Sequence, residues 1–425
     1  MASKKEGGLE EQVGSEEEVY IAHQVRHPFD FDEIMELVLA AQKKENVGVY
    51  GPPGVGKTMM IKTLAKILGR DIETVHCAPE TGISDIVGGN IPGPAHDEKG
   101  NIIPVLTLTK REGPLARAMK QGKIFYADEF NKLTKETQSY LSAPLDFRRE
   151  LRTIDGETLV NRAANDFMFI ASWNPGEEYG GEEILGFIKD RVNYTPFNEL
   201  NTDLQTRIGL LKAGVLGIDD LKDNKIQTRA IAFLDGGPKF FVKAGKEFIN
   251  IFDKDDKLPE NNKSLKTYLC YVGKEGDTLK TKDKKSQEVY DNLYNVASFL
   301  SDIRGLVLNG SEGVKDEISN ILSSLSISGM SPLHEVYHIE PRSVRIVESV
   351  AKDFDYLLKH NVPGSVITDR IGYKMLNDLV QDKGNVEVAP KITWRKLVEK
   401  LGQLYSLKFD DEQYQLVKEE GFAAV

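Results

Sequence analysis

Through the first half of the chain, short apolar runs alternate with stretches of helical periodicity. Val47-Gly48-Val49-Tyr50 has the length and character of a buried strand. A helical stretch follows, in which Met60, Leu64 and Ile67 share one face and Gly69 is placed to end it. Thr74-Val75-His76, Lys123–Ala127 and Phe167–Ala171 read as further strands, and Val192–Thr195 is a short strand-like run. Farther on the helical pattern gives way to strand-like segments: Ala230–Leu234, Lys239–Val242, Glu247–Phe252 and Leu265–Val272, punctuated by Gly236-Gly237 and Gly245. Helical periodicity then returns. Val296, Leu300, Ile303 and Leu306-Val307 form an apolar stripe within Tyr290–Leu308, and Val344–Leu358 and Trp394–Leu404 read as further helices.

At 425 residues the chain is long enough for two or three domains. Met1–Val19 is rich in Glu, Gly, Ser and Lys and reads as a solvated acidic tail. No stretch reaches the apolar length of a membrane span, and the N-terminus lacks an apolar signal core. Cys77 and Cys270 lie far apart and suggest neither a metal site nor a disulfide framework, which fits a reducing cytoplasm. A net charge of −11 argues against broad electrostatic affinity for nucleic acid.

The sharpest chemical signal is Gly51-Pro52-Pro53-Gly54-Val55-Gly56-Lys57-Thr58, followed by Met59. It fits the phosphate-binding loop G-x-x-x-x-G-K-[ST], between a strand and a helix as that motif requires. Gly51, Gly54 and Gly56 let backbone N–H groups curl around a phosphate, and the helix N-terminus adds partial positive charge. Lys57 is expected to reach the β- and γ-phosphates and Thr58 to hold Mg²⁺. The strand Lys123–Ala127 ends in Asp128-Glu129. Asp128 is expected to bind the metal, through water, and Glu129 to activate the attacking water. The strand Phe167–Ala171 runs into Ser172-Trp173-Asn174-Pro175. Asn174 reads either as a residue that orients water or contacts the γ-phosphate, or as a turn starter.

These motifs, in this order, resemble those of the AAA+ ATPases and, within them, the MoxR-type group. Gly51–Thr58 stands as Walker A, Phe125–Glu129 as Walker B and Asn174 as the sensor-1 residue. Asn174-Pro175-Gly176-Glu177 with Asp190-Arg191 resembles the group's Asn-Pro-x-Glu…Asp-Arg-Phe pattern, with Val192 where Phe is usual. Glu340-Pro341-Arg342-Ser343 resembles the sensor-2 motif. Gly113–Ala118 and Asp146–Leu151 are similar to one branch, whose members assist rubisco activation, nitric-oxide reductase maturation and gas-vesicle formation. The resemblance implies an α/β fold: a P-loop core with a five-stranded parallel sheet, plus an α-helical lid. It implies that Arg191 is an arginine finger reaching a neighbouring subunit's site, with Lys189 as the alternative. Arg342 would contact the γ-phosphate from the lid, with Arg345 able to substitute. His76 reads as a structural histidine or as a polar residue that restrains Glu129.

Hairpin insertions are expected between Val87 and Glu112 and within Asp146–Asp166, where Asp155-Gly156 is a strong turn signal. In a hexameric ring they would face the pore. The expected organisation is a disordered tail at 1–18 and an α/β nucleotide-binding domain at 19–201. A connection at 202–215, a strand-rich insertion of unknown role at 216–287 and a helical lid at 288–425 would follow. The insertion is expected to be a compact module apart from the ATP site. The function implied is a cytoplasmic, ring-forming ATPase, using ATP and Mg²⁺, that remodels a protein client with a von Willebrand factor A-type partner. No NKxD-type guanine signal is present. The rival is a nucleic-acid motor or restriction-type translocase, which the charge disfavours.

Overall fold

The computed structural model describes residues 20–25, 31–96, 102–152, 158–174, 182–212, 225–259, 265–274, 276–280, 284–312, 314–327 and 391–407. It also describes 214, 217, 262, 350–351, 379 and 387–389. The chain divides into two compact units. One comprises Tyr20–Glu199 with Gln227–Val272; the other includes Leu200–Ile226 and Gly273–Val425.

The first unit opens with β1 (Ile21–Ala22), α1 (Glu33–Lys43), β2 (Val47–Tyr50), α2 (Lys57–Leu68) and β3 (Ile72–His76). Next come α3 (Ile83–Val87), β4 (Gly88–His96), β5 (Ile102–Glu112), α4 (Pro114–Gln121) and β6 (Ile124–Asp128). α5 (Lys135–Tyr140), α6 (Ser142–Leu145), β7 (Leu151–Arg152), β8 (Thr158–Val160), β9 (Met168–Trp173), α7 (Gly186–Lys189) and β10 (Asn193–Pro196) complete this stretch. Five of the strands form one sheet in the order β10-β2-β9-β6-β3, and every pairing is parallel. Side chains alternate across it. Ile124, Tyr126, Met168 and Ile170 pack with α1 and α2; Phe125, Ala127, Phe169 and Ala171 pack with α3 and α4 on the other face. Both faces of the central strands β2, β9 and β6 are covered, so these three read as near-continuous apolar runs.

Helix ends follow the local chemistry. α2 stops at Gly69, whose φ of 64° is the left-handed conformation expected of a helix-terminating glycine. Pro114 begins α4, where its missing N–H costs nothing. Both expected hairpins form: β4 pairs antiparallel with β5, and β7 with β8. The Asp155-Gly156 turn lies outside the described residues.

The strand-rich segment comprises β11 (Ile226–Leu234), β12 (Gly237–Ala244), β13 (Glu247–Asn250), β14 (Lys257–Pro259) and β15 (Leu265–Tyr271). β11 to β14 are linked by antiparallel pairings, and β1 pairs in parallel with β15. The sheet order is β1-β15-β11-β12-β13-β14, so a strand preceding the phosphate-binding loop supplies one edge. Ile231, Phe240, Tyr268 and Cys270 share a core with Tyr20, Ile34, Met35, Val38, Met60 and Ile61. The segment therefore sits against α1 and α2, in one unit with the five-stranded sheet, where the sequence reading has it apart.

Polar chemistry explains that attachment. Asp32 caps α1, its Oδ1 accepting from the backbone N–H groups of Ile34 (2.9 Å) and Met35 (3.0 Å). Its Oδ2 accepts from Arg229 Nη1 and the Tyr268 hydroxyl, both at 2.8 Å. Each is buried: the side chains of Asp32 and Arg229 are 0% and 3% exposed. A buried carboxylate is tolerable only with such partners.

The second unit holds α8 (Thr202–Lys212), α9 (Lys284–Asn309), α10 (Asp316–Ser324), a small antiparallel pair β16 (Glu387–Ala389) and β17 (Ile392–Thr393), and α11 (Trp394–Gly402). Val296, Leu300, Ile303, Leu306 and Val307 are buried, as their spacing predicts. α8 and α9 are joined by the Tyr290 hydroxyl donating to Asp203 Oδ1 at 2.6 Å. The expected helix at Val344–Leu358 falls almost wholly outside the described residues, as do Arg342 and Arg345. No helix among the described residues is long and apolar enough to cross a membrane.

Candidate functional site

The C-terminal ends of β2, β9 and β6 lie side by side, and each carries one expected motif. The loop after β2 is shaped by its glycines. Gly54 and Gly56 hold φ of 81° and 91°, a region that side-chain-bearing residues avoid. A Cβ on Gly51 would lie 2.4 Å from the Phe197 carbonyl oxygen. Val55 is buried and anchors the loop, Pro52, Pro53 and Met59 are half-buried, and Thr58 is at the start of α2. The loop is therefore a fixed cradle before the N-terminus of α2, the arrangement that favours an anion.

Lys57 ties two motifs together. Its Nζ donates to the carbonyls of Gly51 (2.6 Å) and Pro52 (2.8 Å) and to Asn174 Oδ1 (2.8 Å). A cation placed at the mouth of the loop suits an incoming phosphate. Asn174 is thereby placed at the loop and is more than a turn starter.

Behind Lys57 lies a polar cluster that sequence reasoning found only in part. The Tyr126 hydroxyl donates to Asp128 Oδ1 at 2.7 Å. It lies 2.8 Å from Ser172 Oγ and 3.3 Å from Thr58 Oγ1. Ser172 Oγ also donates to Asp128 Oδ1, at 2.7 Å. Burial pushes the Tyr126 phenol up, so it stays neutral and able to donate. Thr58 and Asp128 are thus brought together through Tyr126 as a hydroxyl and a carboxylate, hard oxygen donors that fit Mg²⁺. Tyr126 and Ser172 were legible in principle: each sits two residues before a motif residue, hence on the same face of its strand.

Glu129 follows Asp128 in a left-handed backbone conformation, φ 56°. It begins a single turn of 3₁₀-helix, Phe130–Lys132. Its carboxylate meets Lys132 Nζ at 2.7 Å. On the same turn, Asn131 Nδ2 donates to the Asn174 carbonyl at 3.4 Å. His76 meets Asp128. Its side chain is 80% exposed, and its Nδ1 lies 3.3 Å from Asp128 Oδ2, because β3 and β6 pair in register at His76 and Asp128. Cys77, next along, is buried beside the two carboxylates; burial first, then their charge, pushes its thiol up to about 12.

Arg191 lies two residues before edge strand β10. Its Nη1 donates to Ser142 O (3.0 Å) and Oγ (2.7 Å), and its guanidinium lies 5.2 Å from the centre of the Phe187 ring. Val192, the departure from the family pattern, is buried beside Gly48. Lys189 pairs with Glu183 at 2.9 Å on the exposed end of α7. Glu177 lies outside the described residues.

Comparison with known proteins agrees with this geometry. Residues 46–192 match the AAA domain of the dynein-related subfamily. An uncharacterized protein of Staphylococcus aureus strain USA300 is 30% identical over 226 residues, which cover 53% of this chain and 76% of that protein. Protein NorQ of Paracoccus denitrificans is 33% identical over 145 residues, covering 34% of this chain and 49% of NorQ. Midasin of Giardia intestinalis is 30% identical over 154 residues, covering 36% of this chain and 3% of midasin. The chain spans about half (49%) of the length of several curated relatives that it matches. The fold is that of the α/β P-loop class. Within that class the chain belongs to the AAA+ ATPases, in their MoxR-like, dynein-related group.

Proposed function

We propose that the protein is a Mg²⁺-dependent ATPase that works as a ring, hexameric by analogy with its group, and remodels a protein client in the cytoplasm. The observation that carries the ATPase reading is Lys57 bridging the phosphate-binding loop and Asn174, beside the Thr58–Tyr126–Asp128–Ser172 cluster. Lys57 and the loop's N–H groups neutralise and orient the phosphates. Thr58 and Asp128 would hold Mg²⁺, which when bound would offset phosphate charge. Glu129 orients a water and accepts its proton, while Asn174 fixes that water's position. By family analogy, Arg191 acts in a neighbouring copy's site and Arg342 contacts the γ-phosphate.

The client reading rests on family analogy, with the β4–β5 and β7–β8 hairpins as the parts that touch it. A partner with a von Willebrand factor A-type domain belongs to the same analogy. A decisive test is purification of the protein with phosphate release measured at rising protein concentration and Mg²⁺. Turnover per chain that climbs with assembly supports the ring; phosphate release independent of both concentration and Mg²⁺ overturns the reading.

A further inference from the structure

We infer that Lys132 is a resting-state restraint on Glu129, a positioning residue built into the turn that follows the metal-binding strand. This inference rests on Glu129 being the base that activates water. Lys132 Nζ lies 2.7 Å from Glu129 Oε2. A water oriented for attack needs the same carboxylate, and an ammonium on Oε2 takes up one of its acceptor positions.

The backbone leaves the pair little freedom. Lys132 N–H donates to the Glu129 carbonyl at 2.8 Å, and Leu133 N–H to the Phe130 carbonyl at 3.1 Å. Phe130 is fully buried and pins the turn to the core. The two side chains are part exposed, 34% for Lys132 and 45% for Glu129, so solvent can reach the pair. Release therefore requires a side-chain rotation and no rearrangement of the turn. His76, at the end of the neighbouring strand, meets Asp128. The next residue in the turn, Asn131, contacts the Asn174 carbonyl. Base, restraint and the link to Asn174 thus occupy four consecutive positions, so an event felt at Asn174 has a short path to the Glu129–Lys132 pair.

A half-exposed ion pair is weak, so the restraint is a modest one. The test is steady-state ATPase kinetics of the full chain carrying Lys132→Met, with Lys132→Gln as a second variant and Lys132→Arg as the conservative control. The inference expects kcat to rise about two- to fivefold in the first two, with KM for ATP unchanged, and Lys132→Arg to keep the original rate. Adding Glu129→Gln to Lys132→Met should abolish the gain. Unchanged or lower kcat in folded Lys132→Met and Lys132→Gln, with hydrolysis by the parent protein still dependent on Glu129, overturns the restraint and leaves the ATPase reading standing. A parent protein whose hydrolysis is untouched by Glu129→Gln overturns the ATPase assignment itself, and the restraint with it.

Discussion

The Tyr126 hydroxyl sits 2.7 Å from the Asp128 carboxylate, two residues along the same strand and on the same face. That contact puts a neutral, buried donor between the Asp128 carboxylate and Thr58, which lies 3.3 Å from the hydroxyl. Tyr126→Phe keeps the ring's packing and removes the link. Ser172 still donates to Asp128, so the carboxylate is not left without a partner. Loss of one hydrogen bond is worth about 1 kcal/mol, so the Mg²⁺ concentration for half-maximal ATPase should rise by roughly threefold to tenfold. Titration of the rate with Mg²⁺ checks this; an unchanged midpoint would remove Tyr126 from the metal site.

Arg191 rests on Ser142 within its own chain, and the proposed ring requires it to reach another. Arg191→Ala should leave ATP affinity near normal while turnover falls by about 10³-fold or more. Mixed with Lys57→Ala subunits, it should recover part of the activity, because each variant supplies what the other lacks. Mixing curves that stay flat, in a sample that sediments as an active monomer, would exclude action in trans.

The attachment of the strand-rich segment gives a stability prediction. Arg229→Met leaves Asp32 buried without its cation, a change that costs about 3–5 kcal/mol. Tyr268→Phe removes a single bond to the same oxygen and should cost about 1 kcal/mol. Denaturant unfolding of the full chain separates the two. Deleting 227–272 should unfold the nucleotide-binding unit, because β1 loses its partner strand and the core of α1 and α2 is opened. A deletion protein that still binds ATP tightly would show the segment to be dispensable.

Cys77 should resist alkylation in the folded protein. Its thiol is buried and pushed up to about 12, so the reactive thiolate is scarce at pH 8. The sign follows from linkage. A thiol raised in the folded state favours folding fully below its unfolded value near 8.5, and that contribution is lost as pH climbs toward 12. Mass spectrometry after iodoacetamide treatment at pH 8 should find Cys77 unlabelled until denaturant is added; rapid native labelling would contradict this environment.

The nucleotide-binding core was legible because the central strands β2, β9 and β6 are buried on both faces and each carries a motif at its end. Gly51–Thr58 and Asp128 could be placed from motif and spacing; for Asn174 the residues alone left two readings, and the family resemblance chose between them. What escaped was lateral. Tyr126 reads as one more apolar strand residue until its hydroxyl is seen beside Asp128. Lys132 reads as a solvated charge until the 3₁₀ turn folds it back onto Glu129. The strands of 226–271 were legible from their alternation. Their docking was not, because it depends on Asp32 meeting Arg229 across 197 positions of sequence. Local periodicity carries no information about such pairings.

The central claim is that one site binds ATP through Lys57 and hydrolyses it through Glu129. Calorimetric titration of ATP into Lys57→Ala and Glu129→Gln, alongside phosphate release by the same samples, tests it most directly. The account predicts that Glu129→Gln binds ATP as the parent does and releases almost no phosphate, whereas Lys57→Ala loses binding itself. Near-normal phosphate release by Glu129→Gln, or parent-like ATP affinity in Lys57→Ala, would contradict it.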